Sequence, residues 1–527
     1  MHSRPGRQSK IYRQRIAYLS VAALSGCVLF ASLASFASGS GGQNPSPETG
    51  TVVIDAAASA KPFPHFWERV FGSGRAVLSL REAYRSDLKQ VKAVTQMQYV
   101  RSHAIFHDEI GLYSEDRDGN PIYNFTYIDQ IYDGLLENGV RPFVELSFMP
   151  RQLAAAPIEH PFWYKPIVAP PRDWSRWEEL IYSFARHLID RYGIDEVAQW
   201  YFEVWNEPNI DFWAGQPKES TYYELYDHSA RALKRVNTRL RIGGPATAQA
   251  AWVGRFIRHC VDSGTPVDFV CTHVYANDTA QNIFGSNESI TRRDMVGRAV
   301  RKVYDEVKGS PRPELPIHWS EYNASYMNEV IVTDSPFMGP WLANTIRECD
   351  GLVSTMSYWT FSDVFEEQGV ARTQFYGGFG LIAQGGIPKA SFNAFRLLHM
   401  LGDERLSGNF ESIIATRRPD GSLAIAVWNY APPGETGAVE RMALEFKNLH
   451  KQKLVRIHYV DRTRGSALTA WEAMGMPRFP SHEQQQSLRN SAELPQPEER
   501  TLAVRAGNAI VRIELPAHCL ALVEILK

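Results

Sequence analysis

Trp200-Tyr-Phe-Glu-Val-Trp-Asn-Glu-Pro-Asn209 is the stretch whose reading decides the fold. Tyr201, Phe202, Val204 and Trp205 make an aromatic and β-branched run, the composition of a strand covered on both faces. Asn206, Glu207 and Pro208 follow without a break. Proline holds the residue before it extended and brings no ladder donor, so the pattern places Glu207 at the strand's last position. In a parallel barrel, side chains at that position face the active-site mouth. Taken alone, Asn-Glu-Pro reads more simply as a surface turn with a solvated glutamate. The rest of the chain has to decide.

Working outward, similar runs recur with amphipathic segments between them. Strands are expected near Phe71 and at Gln98–Arg101, Pro142–Leu146, Arg239–Ile242, Asp268–His273, Pro316–Trp319 and Ser357–Thr360. With the opening stretch these make eight. Trp174, Trp177, Ile181, Phe184 and Leu188 share one face of a predicted helix, and Tyr222, Leu225, Ala230 and Leu233 share one face of another. Eight alternating units predict an α/β fold, a (β/α)8 TIM barrel over residues 65–402. An open dinucleotide-binding sheet is the competitor, but no Gly-x-Gly-x-x-Gly follows the first strand.

After Gly402 short strands alternate with turns such as Asp420-Gly421. The runs are Ile413–Ala415, Leu423–Trp428, Val455–Tyr459, Leu502–Val504, Ile510–Ile513 and Leu520–Ile525, which predicts an accessory antiparallel β-sandwich over residues 403–527. Ser481–Arg500, rich in Gln, Glu and Pro, reads as a long loop.

Residues 1–37 read as a signal peptide or membrane anchor. Arg4, Arg7, Lys10, Arg13 and Arg15 precede an apolar run from Ile16 to Ala37, and Ser35-Phe36-Ala37 offers a small-residue cleavage site. Cys27 in Leu24-Ser-Gly-Cys27 resembles a lipoprotein box, and the run is also long enough to stay in a bilayer. Export to the periplasm or medium is expected in each case. Residues 38–50 form a Gly/Ser/Pro/Asn linker. The net charge of −2 gives no basic footprint for nucleic acid. Cys260, Cys271, Cys349 and Cys519 lack zinc or redox spacing and are expected to be buried thiols.

A second carboxylate stands in an equivalent setting. Ile317-His-Trp-Ser-Glu-Tyr-Asn-Ala-Ser325 follows Pro316, which places Glu321 at another strand end. From about His65 to Gly402 the chain resembles glycoside hydrolase family 39 of the clan A retaining glycosidases, the family of β-xylosidases and α-L-iduronidases. The Asn206-Glu207-Pro208 segment is similar to its acid/base strand, and Ser320-Glu-Tyr-Asn323 to its nucleophile motif, with Ser320 where Thr is usual. Ser357–Glu367, Phe375–Leu381, Ile387-Pro-Lys389 and Pro142–Pro150 resemble bacterial β-xylosidases more than iduronidases.

The resemblance implies Glu321 as nucleophile and Glu207 as proton donor and then base, with the carboxyls about 5–5.5 Å apart. It implies that Asn206 bonds the sugar 2-hydroxyl. His273 and Tyr275 would lie near the nucleophile and sugar ring, and Arg101 and His103 would give polar support from the second strand. Trp359 would be the sugar platform, followed by a cis peptide to Thr360. Glu366 or Glu367 would bind sugar hydroxyls, without the sequence saying which. Gly402 would be followed by a sandwich that borrows a strand from 51–64. No cofactor or metal is required, and a carbohydrate is the implied partner.

Alternatives stay open at this level. An iduronidase would need a cation for the uronate carboxylate, for which Arg372 or Lys389 could serve, and Arg75 stands where several xylosidases carry another residue. A metal-dependent hydrolase built on His103, His107, Asp108 and Glu109, and a catalytically silent carbohydrate-binding barrel, are the other classes.

Overall fold

The structure, a computed structural model, describes residues 50–408, 410–450 and 454–527. The expected leader, its cleavage or lipidation site and nearly all of the linker lie outside the described residues. Among the described residues, no helix is long and apolar enough to cross a membrane.

Eight parallel strands close into a barrel in chain order. They are β1 (Val70–Arg75), β2 (Tyr99–His103), β3 (Arg141–Leu146), β4 (Tyr201–Val204), β5 (Arg241–Thr247), β6 (Phe269–Tyr275), β7 (Ile317–Asn323) and β8 (Thr355–Tyr358). Ser357 and Tyr358 of β8 pair back onto Val70 and Phe71. The (β/α)8 expectation therefore holds, with corrections at strand ends.

The first correction is at Glu207. β4 stops at Val204, and Trp205 and Glu207 take φ of 71° and 45°. The Glu207 N–H donates to the Ala246 carbonyl at 2.8 Å, so a bond to the end of β5 overrides the extended bias before Pro208. Glu207 is thus set by a turn beyond the strand. Glu321, conversely, lies inside β7, two residues before its end. β5 starts later than Arg239 and runs on to Thr247 through Gly243-Gly-Pro245, which looks like a breaker in sequence. The ring of Phe269 lies 2.5 Å from where a Cβ on Gly243 would sit, so the glycine makes room for barrel filling.

Strand alternation sorts the interior into layers. Phe202 and Val204 face the surrounding helices, whereas Tyr201 and Glu203 face the barrel axis. The lower layer is apolar, with Val70, Phe143, Ala246, Phe269 and Cys271 packed against Tyr99 and Tyr201. Above it lies an ionic layer of Arg101, Glu145 and Glu203, all buried.

The helices follow their apolar stripes. Asp173 caps Trp174–Tyr192 by accepting from the N–H groups of Ser175 and Arg176. That helix buries Trp177, Leu180, Ile181, Phe184, Ala185 and Leu188, each large side chain contributing about 1.5–3 kcal/mol. Trp174 is only partly buried and stacks on His228 at 5.1 Å.

Two sheets form the C-terminal sandwich. The larger has seven strands in the order Ala60–Pro62, Glu404–Leu406, Ile413–Arg417, Leu423–Asn429, Cys519–Leu526, Leu454–Val460, Glu498–Thr501. The smaller joins Gly50–Asp55, Glu440–Lys447 and Ala509–Leu515. Gly50–Asp55 runs parallel to Glu440–Lys447, so the sandwich is not wholly antiparallel. Along Cys519–Leu526, Leu520 and Leu522 pack on the barrel side while Ala521, Val523 and Ile525 fill the sandwich core.

Three expectations are corrected here. Leu502–Val504 is not a strand; the strand is Glu498–Thr501. Glu440–Lys447 is a strand absent from the expected set. Ser481–Arg500 is not one long loop, because His482–Ala492 is helical with a Ser481/Gln484 capping box. The four cysteines of the described residues are buried and free.

A partly buried cluster fastens the chain entering β1 to the end of the helix Ala390–His399. Glu68 accepts from His65 Nδ1 at 2.6 Å and from His399 Nδ1 at 3.0 Å. The bond to Glu68 raises the pKa of His399, and the two histidines hold Glu68 below its usual range. A raised folded-state pKa gives stability that is present at low pH and lost as pH rises through it. The loss of melting temperature in His399→Ala should therefore be largest on the acid side of neutrality and shrink with rising pH. A difference independent of pH in thermal melts would contradict this.

Candidate active site

Above the ionic layer, Glu207 and Glu321 converge from β4 and β7 with His273 from β6 between them. One carboxylate oxygen of each glutamate and a ring nitrogen of His273 all lie within 4.8 Å of one another. His273 Nδ1 is 3.0 Å from Glu207 Oε1, and its Nε2 is 3.1 Å from Ser320 Oγ. Register explains the approach, since His273 sits directly beside Glu321 in the β6–β7 pair.

Arg101 organises the floor. Its Nε donates to Glu203 at 2.6 Å, Nη1 to Glu321 at 2.9 Å and Nη2 to Asn206 Oδ1 at 2.9 Å. Nη2 also lies 2.7 Å from Glu145, which in turn holds His103 Nδ1 at 2.7 Å. Tyr275 donates its hydroxyl to Glu321 at 2.5 Å. Trp359 is buried with its ring 4.6 Å from that of His103. A Cβ on Gly72 would run into the Trp359 ring, so β1 must carry glycine there. The Trp359–Thr360 peptide is cis.

These surroundings separate the two carboxyls electrostatically. Burial, then the Glu321 charge, pushes Glu207 well above the ordinary carboxylate range. Burial also raises Glu321, but Arg101, His103 and the Tyr275 hydroxyl oppose it. Within the pair the proton therefore belongs on Glu207 and the charge on Glu321. Burial and the positive field of Arg101 keep His273 neutral. By distance, Glu207, His273 and Glu321 could hold a cation, yet Arg101 already places a positive charge against Glu321.

A buried acid and a buried carboxylate facing each other across the mouth of a (β/α)8 barrel is the arrangement of a glycosidase. The model of the glycosyl hydrolases family 39 matches residues 50–508. The chain belongs to glycosyl hydrolase family 39. It is 37% identical over 464 residues to a β-xylosidase of Geobacillus stearothermophilus, covering 86% of this chain and 90% of that one. A β-xylosidase of Caldicellulosiruptor saccharolyticus is 35% identical over 441 residues, with 81% and 88% covered. The crystal structure of a monomeric β-xylosidase from Caulobacter crescentus CB15 matches with a TM-score of 0.82 at 33% identity, over 90% of this chain and 99% of that one. As a family 39 member the protein is a glycoside hydrolase acting on a carbohydrate.

In this family 39 chain the paired glutamates after β8 part ways. Glu366 accepts from Arg75 Nη2 at 3.1 Å and from Arg81 Nη2 at 3.0 Å, so both its oxygens are held by guanidinium groups. Glu367 is buried, with Oε1 3.6 Å from His103 Nε2 and without a hydrogen-bond partner among the described residues. Burial, then Glu321 and Glu207, raises its pKa strongly. Lys389 is not in the pocket. Its Nζ lies 2.6 Å from both Asp334 and Asp363, buried behind the loop that carries Glu366 and Glu367. Arg372 is exposed.

The four proposed metal ligands do not converge. His103 faces Glu145, Asp108 accepts from the Arg151 N–H, and Glu109 accepts from Arg75 Nε. Sequence reasoning missed Glu145 and Glu203, which pair with Arg101, while Ser320, named within the nucleophile motif, lies against His273. A charged residue inside an otherwise apolar strand, as in Phe143-Val-Glu-Leu146, was the available signal.

Proposed function

We propose that the protein is a retaining exo-β-xylosidase, releasing terminal xylose from xylo-oligosaccharides or related glycans through a glycosyl-enzyme ester on Glu321. The observation that carries the reading is the Glu207–Glu321 pair with its opposite electrostatic surroundings. One oxygen of each carboxyl lies within 4.8 Å of the other, which supports the close pairing of a retaining enzyme over the about 6.5–9.5 Å carboxyl separation of an inverting one. Glu207, protonated, donates to the leaving oxygen. Burial continues to raise the Glu207 pKa, but esterification of Glu321 removes the second cause, its charge, and Glu207 becomes the better base for activating water.

The other residues take roles that follow from their bonds. Asn206, its Oδ1 fixed by Arg101, turns its amide N–H groups to the 2-hydroxyl. Tyr275 holds the attacking oxygen of Glu321 in place. His273 orients Glu207, Trp359 forms the platform under the ring, and His103 with Glu367 takes sugar hydroxyls. Glu366 is excluded from that role by Arg75 and Arg81.

Charge matching supports a neutral sugar over a uronate. Arg75 faces Glu109 and Glu366, Arg81 faces Glu366, Arg101 faces three carboxylates and Lys389 faces two. None of these cations is left over for a substrate carboxylate. Exo action is supported by a bridge across the mouth. In residues 151–172, His160 stacks on Phe212 of the Glu207 loop at 4.0 Å, and the Trp163 N–H donates to the Glu367 carbonyl at 2.8 Å.

Proton NMR of the first product from 4-nitrophenyl β-D-xyloside tests the reading. β-Xylose is expected to appear first and mutarotate later. Initial α-xylose would overturn retention, and turnover of α-L-iduronides but not β-xylosides would overturn the sugar assignment.

A further inference from the structure

We infer that Trp163 is the platform for the leaving-group sugar, stacking the pyranose unit next to the bond that is cut. The inference rests on the exo-β-xylosidase reading and adds to it a residue that selects xylo-oligosaccharides over small leaving groups.

Trp163 is 56% exposed, an unusual state for an indole. A single exposed apolar side chain is ordinary on a protein surface, but this one has three fixed neighbours. Its backbone N–H is bonded to the Glu367 carbonyl. A Cβ on Gly369 would lie 3.3 Å from the indole Cδ1, so the ring lies against bare backbone there. The guanidinium carbon of Arg75, anchored by Glu109 and Glu366, is 5.5 Å from the ring centroid. Cation–π contact in that range favours one fixed ring position. The turn carrying the indole is closed by the Lys165 N–H on the Phe162 carbonyl at 2.9 Å, with Lys165 at φ 52°.

Position sets the ligand. The turn spans from the Glu207 loop to the Glu367 loop: Phe162 lies 5.2 Å from Phe212, and Phe212 accepts the Trp205 indole N–H at 2.7 Å. The glycone occupies the buried floor on Trp359, His103 and Glu367. The turn joins the two loops at the rim, and in the proposed reading the leaving group passes it on the way out. An exposed indole face fixed there presents a flat apolar surface to the C–H face of a pyranose, while the sugar's hydroxyls stay in water.

The test compares the protein, Trp163→Ala and Trp163→Phe on β-D-xylosyl fluoride, whose leaving group is one atom, and on xylobiose and xylotriose. Trp163→Ala should lose roughly ten-fold in kcat/KM on the oligosaccharides, mainly through KM, with less than about two-fold change on the fluoride. Trp163→Phe should recover most of the loss. Equal losses on all three substrates would make Trp163 a pocket wall and overturn the inference, as would no loss on any. If the unaltered protein fails on the fluoride, the β-xylosidase reading itself falls, and this inference with it. If the protein is active on the fluoride and Trp163→Ala leaves the oligosaccharides unaffected, only the inference about Trp163 falls.

Discussion

Glu321→Ala should lower turnover of every β-xyloside together by roughly 10⁴–10⁶-fold, because no ester can form without the attacking carboxylate. Glu207→Ala should behave differently with each leaving group. Poor leaving groups that need a proton should lose about 10²–10⁴-fold. A dinitrophenyl xyloside should still xylosylate Glu321, after which the ester accumulates for want of a base. Azide needs no deprotonation and should restore turnover of Glu207→Ala, giving a β-xylosyl azide of retained configuration. In Glu321→Ala azide would enter from the vacated face and give the inverted product. The reverse pattern would exchange the two roles.

The pH dependence carries the same signature. In the proposed mechanism Glu207 is protonated in the first step, and burial with the Glu321 charge raises its pKa. kcat/KM should therefore fall as pH rises through that raised value, and Glu207→Gln should erase this alkaline limb for leaving groups that need no proton. An alkaline limb unchanged in Glu207→Gln would assign the titration elsewhere.

Arg101→Met is expected to cost stability and activity together. The guanidinium is fully buried and pairs with Glu145, Glu203 and Glu321, so its loss strands carboxylates in the barrel interior. Removing one partner from a buried ion pair costs about 3–5 kcal/mol, readable as a lowered urea midpoint. Glu321 would also lose the positive charge that opposes its desolvation. Its pKa should rise, moving the acid limb of the pH profile to higher pH. A variant of unchanged midpoint and unchanged acid limb would show that the carboxylates find other compensation.

Much of this architecture was legible from local pattern. The barrel strands are apolar runs between amphipathic helices, and burial on both faces forces that composition. Glu207 and Glu321 each follow or interrupt such a run, but the pattern alone reads as a surface turn, and the resemblance of their flanks to family 39 motifs is what made them candidates. Residues whose meaning depends on pairing were not legible. Glu145 and Glu203 look like ordinary interruptions until Arg101 is placed between them. Glu366 and Glu367 are adjacent and chemically identical, and only Arg75 and Arg81, far away in sequence, separate them.

The errors have the same origin. Glu440–Lys447 hides its alternation of Met442, Leu444 and Phe446 among charged neighbours. The helix His482–Ala492 is nearly all polar outside Leu488, although Ser481 and Gln484 at capping spacing announced its start. At Glu207 the local bias of Pro208 pointed to extended backbone, and one bond to Ala246 decided otherwise.

The bridge over residues 160–164 has a kinetic meaning. It is fastened on one side to the Glu207 loop by aromatic stacking and on the other to the Glu367 carbonyl by a backbone bond. Under the proposed exo reading, a segment tied to both loops would admit a chain end and hinder the remainder from sliding forward. On that reading, each sugar released requires a fresh encounter, and non-processive release by the protein is the expected result. Its rate on a polymer would scale with the number of chain ends rather than with the mass of polysaccharide. Prior internal cutting of the polymer would accelerate it by multiplying those ends.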